Sequence, residues 1–352
     1  MGLPEIIFKL KEKASTAVVR SGSGVVALIL ADGTAAGTGY SYGKLADVSS
    51  SDWTAENYDY IRLAFLGNPR LVIVERTAAE KTTYTAALAK LANKRFNYLA
   101  VPGIATASVK TIADWIIAQR TSKHTFKAVL PNSASDNEGI INFTTDGIKV
   151  GSQSYTTAQY CARIAGLLAG IPLSQSATYK PLSEVTAITE SSTPGADIDA
   201  GKFILISDGE NIKCGRGVNS LQTISDGKTA DMKKIKITEG IDLIADDIET
   251  TFEDIYIGNI ANSYDNKQLF VSAIQTYLND LVSDGVLYGG FDNTAYIDLD
   301  AQRKYLQDCG KDVSAMSEEE IKKANTGCKV FIALSIQPED AMEDLTCCMS
   351  IE

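Results

Sequence analysis

The 352-residue chain carries 33 Lys and Arg against 44 Asp and Glu, a formal net charge of −11, which argues against nucleic acid as a partner because phosphate backbones are held by clustered cations. The length suggests about two domains. No apolar run approaches the roughly 20 residues of a membrane span, and the opening MGLPEIIFKLKEK lacks the apolar core of a signal peptide.

In chain order, Ile6, Phe8 and Leu10 alternate with Ile7, Lys9 and Lys11, the period of a strand with one buried face. A polar stretch broken by glycines follows, so residues 1–24 read as an N-terminal arm. Buried strands are expected at VVALIL, from Val25, and at RLVIVER, from Arg70. Between them TAENYDYIRLAFLG predicts a helix capped by Thr54 and ended by Gly67. YTAALAKLANKRF is a helix, FNYLAVPG a strand, SVKTIADWIIAQR a helix capped by Ser108, and FKAVLPN a strand. Such repetition predicts a layered α/β domain with parallel strands. TTAQYCARIAGLLAGIP adds a helix whose Gly166 and Gly170 imply a close helix contact, and GKFILISDGENIKCGRGVNSL adds a hairpin about Asp208-Gly209. Together these place an α/β domain over residues 25–225.

Beyond residue 225 the pattern turns to α+β, over residues 226–338. Ile241, Ile244, Ile248, Phe252 and Ile255 share one helical face, and SYDNKQLFVSAIQTYLNDLVSDG is a strongly amphipathic helix. A strand TAYIDL, a helix AQRKYLQDCG and a short charged helix SEEEIKKAN follow, the last with Ser317 and Glu320 spelling a capping box. Val330, Ile332, Leu334 and Ile336 alternate with Phe331, Ala333, Ser335 and Gln337 as a strand. After the hinge Pro338-Glu339-Asp340, Leu345, Cys347, Met349 and Ile351 alternate with Thr346, Cys348, Ser350 and Glu352. Residues 339–352 therefore read as a C-terminal arm ending in a spare strand. A strand satisfies its backbone only beside another strand, so both end strands call for partners.

Motifs for chemistry fail on context. Gly22 and Gly24 precede a strand instead of opening a helix, the wrong placement for a dinucleotide fingerprint. The single histidine, His124, excludes mechanisms with two imidazoles, and no cysteines form a C-x-x-C pair. The carboxylates Asp242, Asp246, Asp247, Glu249, Glu253 and Asp254 suit the charged outer face of a helix. No catalytic, cofactor or metal site is expected, and the chain does not read as an enzyme.

The second half resembles the C-terminal domain of contractile tail sheath proteins from bacteriophages and phage-tail-like bacteriocins. The resemblance is carried by GIDLIADDIETTFEDIYIGNIANSYDNKQLFVSAIQTYLNDL, by IDLDAQRKYLQDCGKDVSAMSEEEIKKANTGCKVFI and by DAMEDL. IAGLLAGIPLSQSATYK, CGRGVNSLQT and GLPEI are similar to the matching earlier blocks, in the same order. The resemblance implies a structural subunit that polymerises helically, as stacked rings of itself, around a tail tube. It further implies baseplate and tail terminator partners, assembly in the host cytoplasm, and a place in a virion tail or released particle without membrane anchoring. It assigns an outer α/β domain, an inner α+β domain and terminal arms that add strands to sheets of neighbours. The arm contacts would then be Ile6, Phe8, Leu10, Leu345, Cys347, Met349 and Ile351. Glu318, Glu319, Lys322 and Lys323, in the most densely charged element of the inner domain, are the candidate tube-facing residues. The alternatives are an α/β enzyme of unknown reaction and a self-assembling binding module of another kind.

Overall fold

β1 (Val25–Ala31) is apolar at every position, as a strand covered on both faces must be. Val26, Leu28 and Leu30 pack on one side of the sheet, and Val25, Ala27 and Ile29 on the other. These positions come from a computed structural model that describes residues 24–78, 83–225 and 227–351. Ile6, Phe8 and Leu10 lie outside the described residues.

Chain contacts define two units. Among the described residues, the first comprises 24–239 together with 341–351, and the second 240–340. The first unit runs β1, β2 (Gly39–Tyr42), α1 (Ala55–Phe65), β3 (Leu71–Thr77), α2 (Thr85–Leu91), β4 (Tyr98–Ala100), α3 (Thr106–Thr121) and β5 (Lys127–Pro131). It continues through β6 (Ile140–Phe143), β7 (Asp146–Val150), β8 (Gln153–Tyr155), α4 (Thr157–Gly170), β9 (Ala187–Thr189), α5 (Pro194–Asp199) and β10 (Lys202–Phe203). The hairpin β11 (Leu205–Ser207) and β12 (Ile212–Cys214) follows. A seven-stranded sheet has the order β10-β6-β5-β4-β1-β3-β2. Its strands are parallel except β2, which joins β3 antiparallel at the edge. Helices α1 and α4 cover one face, and α2 and α3 the other.

The small residues of α4 do what their spacing suggests. A Cβ on Gly166 would lie 2.0 Å from the Ala64 carbonyl oxygen, so α1 and α4 cross with backbones in contact. Thr156 caps α4, accepting from the Gln159 amide while the Gln159 side chain accepts from the Thr156 amide. At the β11–β12 hairpin, Asp208 Oδ1 accepts from the amides of Glu210 and Asn211, and Gly209 takes φ +94°.

Several expectations are corrected. Ser108 lies inside α3, which begins two residues earlier without a side-chain cap. Helix α2 stops at Leu91, short of the expected Phe96, and Asn97 beyond it meets the sheet, its Oδ1 accepting from the Val25 amide at 2.8 Å. The three-stranded sheet β8-β7-β9 was not anticipated. The composition change near residue 225 does not coincide with the division between units, which falls after Glu239. Residues 232–238 are held by the first unit: Asn219 Nδ2 donates to the Met232 carbonyl at 2.7 Å, and the Asn219 amide to Lys233 O at 2.9 Å.

Helix α6 (Ile235–Thr251) leads into the second unit and ends in a π-helical turn, Phe252–Tyr256, closed by the Ile257 amide on the Phe252 carbonyl at 3.0 Å. Across the π turn Phe252 and Tyr256 stack on each other, and both rings lie tilted against Phe270. α7 (Tyr264–Ser283), capped by Ser263, buries Phe270, Ala273, Ile274, Tyr277, Leu278 and Leu281. Tyr277 donates to Asp247 Oδ2 at 2.8 Å, tying α7 to α6. β13 (Thr294–Ile297), α8 (Leu299–Asp308), α9 (Glu318–Lys323) and β14 (Ile332–Ser335) complete the unit. Leu306, Val313 and Ile321 form a small core beneath α8 and α9.

Candidate assembly segments

β13 and β14 form an antiparallel two-stranded sheet, with Ala295 opposite Leu334 and Ile297 opposite Ile332. Ala295 and Ile297 are buried, so this face meets α7. The Asp298 amide donates to the Phe331 carbonyl at 3.1 Å. Because inward-bonded residues alternate, Phe331, Ala333 and Ser335 direct their backbone groups towards β13. Ile332 and Leu334 direct theirs to the outer edge, where no strand lies among the described residues. The alternation continues past β14: the Gln337 amide donates to Asn293 Oδ1 at 2.8 Å, and its carbonyl accepts from the Tyr288 amide at 2.8 Å. The Glu339 amide donates to Val286 O at 2.8 Å. Pro338, with no N–H to offer, ends the run of outward donors. The other edge is occupied by the Gln275 side chain, which donates to Asn293 O at 2.7 Å and accepts from the Ala295 amide at 3.1 Å.

Residues 341–351 carry no regular secondary structure, where alternation predicted a strand. A strand needs a neighbouring backbone, and among the described residues none pairs with this segment. The segment is nonetheless anchored at one point. Glu343, with its side chain 7% exposed, accepts from Ser176 Oγ at 2.8 Å and Thr178 Oγ1 at 2.5 Å, with Arg216 Nε at 3.3 Å. Arg216 also reaches Asp344 at 2.6 Å and holds that carboxyl below the usual carboxylate range. Beyond the anchor the apolar side chains enter water: Leu345 is 91%, Met349 89% and Ile351 99% exposed. Cys347 and Cys348 are exposed free thiols.

Helix α9 is capped reciprocally by Ser317 and Glu320 and pinned by buried Ile321. The buried Gln302 side chain donates to the Ile321 carbonyl. Glu318, Glu319 and Lys323 are exposed and Lys322 is half-buried. Lys323 Nζ pairs with Glu319 at 2.5 Å, which holds the Glu319 carboxyl low and the Lys323 ammonium high. The charges thus sit on a rigid turn, with one lysine already paired within the helix.

Residues 77–214 match the phage tail sheath protein central domain, and residues 227–352 the phage tail sheath C-terminal domain. Over 355 residues, covering 98% of each protein, the chain is 37% identical to the tail sheath protein of Clostridium phage phiCD119. The chain belongs to the phage tail sheath family. The sheath tail protein Lin1278 from Listeria innocua superposes with a TM-score of 0.71 over 95% of this chain and 99% of that one, at 17% identity. A chain of the anti-feeding prophage baseplate superposes with a TM-score of 0.70 over 95% and 94%, at 14% identity. These two likenesses show a shared mixed α/β fold.

For this sheath protein, sequence reasoning missed Glu343, Asn293 and Gln275. Glu343 lies within DAMEDL, but its partners Ser176, Thr178 and Arg216 are far away in sequence. Its one available signal was an acid between exposed apolar residues opposite an arginine in CGRGVNSLQT. The other two act on main-chain groups, which leave no trace in residue types.

Proposed function

We propose that this sheath subunit polymerises helically by donating its end strands to the β13–β14 sheets of neighbouring copies, in stacked rings around a tail tube. The unit that ends at Glu239 is the outer domain and residues 240–338 form the inner one, with arms at 1–24 and 339–352. The donated C-terminal strand presents Leu345, Cys347, Met349 and Ile351 to the receiving sheet, and the N-terminal strand presents Ile6, Phe8 and Leu10. Extended segments joining an exposed sheet edge gain main-chain hydrogen bonds along the edge and side-chain pockets at alternate positions. The observation that carries this reading is a pair of features in one chain: an apolar segment left almost wholly in water, and a strand edge with no partner among the described residues.

Contraction drives the tube through a target cell envelope, powered by a metastable lattice set up at assembly. Glu318, Glu319, Lys322 and Lys323 face the tube, where weak polar contacts hold without sticking. The polymer ends at baseplate and terminator proteins. Assembly takes place in the host cytoplasm, ahead of incorporation in a virion tail or tail-like particle. Negative-stain microscopy of the purified protein tests this reading. Long hollow tubes or striated sheaths are expected, whereas monodisperse monomers at high concentration contradict it. ATP hydrolysis coupled to contraction would contradict the stored-energy part.

A further inference from the structure

We infer that Gln275 closes the outer edge of β13, so that every donated strand enters the sheet from the β14 side. The inference rests on the donated-strand reading and adds which edge receives the strand and what fixes that choice.

A two-stranded sheet has two edges, and each is a template for pairing. In a parallel pair, one residue of the incoming strand donates to the carbonyl before its neighbour and accepts from the amide after it. Gln275 meets that requirement with a single side chain. Its Nε2 donates to Asn293 O at 2.7 Å and its Oε1 accepts from Ala295 N at 3.1 Å, bracketing Thr294. The primary amide thus supplies the donor and the acceptor that one residue of a third, parallel strand would supply. It projects from α7, whose apolar face is packed through Ile274 and Leu278, so the plug is held by a rigid element.

Among the described residues, the β14 edge has no equivalent plug. Its outward positions Ile332, Leu334 and Ile336 end at Pro338, which caps the length of strand that can pair. One open edge of defined length fixes the side of entry and the register of the strand that pairs with β14. Two open edges would permit branched and slipped assemblies, because a one-residue slip exchanges the faces of a strand.

Amide exchange on the full-length protein, dilute and after polymerisation, reads both edges. Polymerisation should slow residues 331–336 by at least about fivefold, the ratio a net hydrogen bond represents, and leave 293–297 unchanged. Gln275→Leu should speed exchange at 293–297 in dilute protein and bring new protection there in the polymer. Should that variant fail to fold, Gln275→Met, which keeps the length of the side chain but has neither the donor for Asn293 O nor the oxygen that accepts from Ala295 N, speeds the same segment. Slowing of 293–297 in the wild-type polymer would overturn the edge assignment while leaving strand donation standing. Slowing at neither segment, or no polymer, would overturn strand donation and the inference with it.

Discussion

Removing residues 345–352 should abolish assembly while leaving the fold intact. The truncation keeps Glu343 and Asp344, so the anchor on Ser176, Thr178 and Arg216 survives. Leu345, Met349 and Ile351 are 89–99% exposed and give their own chain almost no burial to lose. The melting temperature should shift by less than about 2 °C, the response to a change of well under 1 kcal/mol. In the polymer the balance differs. Burying those three side chains gains roughly 5–9 kcal/mol, and about five new backbone bonds gain ~5 kcal/mol. Ordering residues 345–351 costs roughly 7–14 kcal/mol. The terms nearly cancel, so one arm binds weakly and the lattice depends on many arms acting at the high effective concentration of a short tether. Thermal unfolding by circular dichroism and sedimentation velocity at high concentration measure the two halves of the prediction. A truncated protein that melts many degrees lower, or that still forms tubes, would refute the reasoning.

Other predictions address separate links. Gly166→Ala should cost about 1–3 kcal/mol through overpacking against the Ala64 backbone, read as a lowered melting temperature, while Gly195→Ala, which meets nothing within 4 Å, should be near neutral. In assembled sheath a thiol reagent should label Cys348 well before Cys347, although both are exposed in the single chain; equal or reversed labelling would place the register one residue away. Replacing Lys322 and Lys323 with Glu should leave polymerisation intact but prevent extended sheath from forming around tube, as scored by electron microscopy with tube present. Arg216, with a smaller contribution from Lys234, depresses the Asp344 carboxyl, so this contact stabilises tail docking above the ordinary carboxylate pKa of 3.8. That contribution is lost as pH falls through the depressed value. Amide exchange of residues 341–345, corrected for intrinsic rates, should therefore quicken below about pH 4 and stay constant from pH 5 to 7.

Legibility in the sequence followed burial. β1, β3 and β5 were readable because strands covered on both faces carry unbroken apolar stretches, VVALILA, LVIV and AVLP here. β2 and β7 were not, because edge or half-exposed strands mix Gly, Ser and charged residues that also suit loops. The caps at Thr54 and Ser317 sit beside what they cap, so local sequence carried them; the π turn after Thr251 had no such marker. At the candidate site, the alternation of Leu345, Cys347, Met349 and Ile351 was visible in the sequence. The anchor was hidden, because Glu343 is explained by hydroxyls and a guanidinium contributed by distant segments. Gln275 was hidden for a different reason: a glutamine on an amphipathic helix looks solvent-facing until the strand beside it is seen.

Donation of the end strand is the central claim, and a high-resolution electron cryomicroscopy map of the assembled full-length protein tests it most directly. The account predicts that residues 345–351 of one copy run as a strand along Ile332–Ile336 of another, with Leu345, Cys347, Met349 and Ile351 turned to the receiving core. A polymer in which residues 345–351 stay in solvent, or fold back onto a sheet of their own chain, would contradict it.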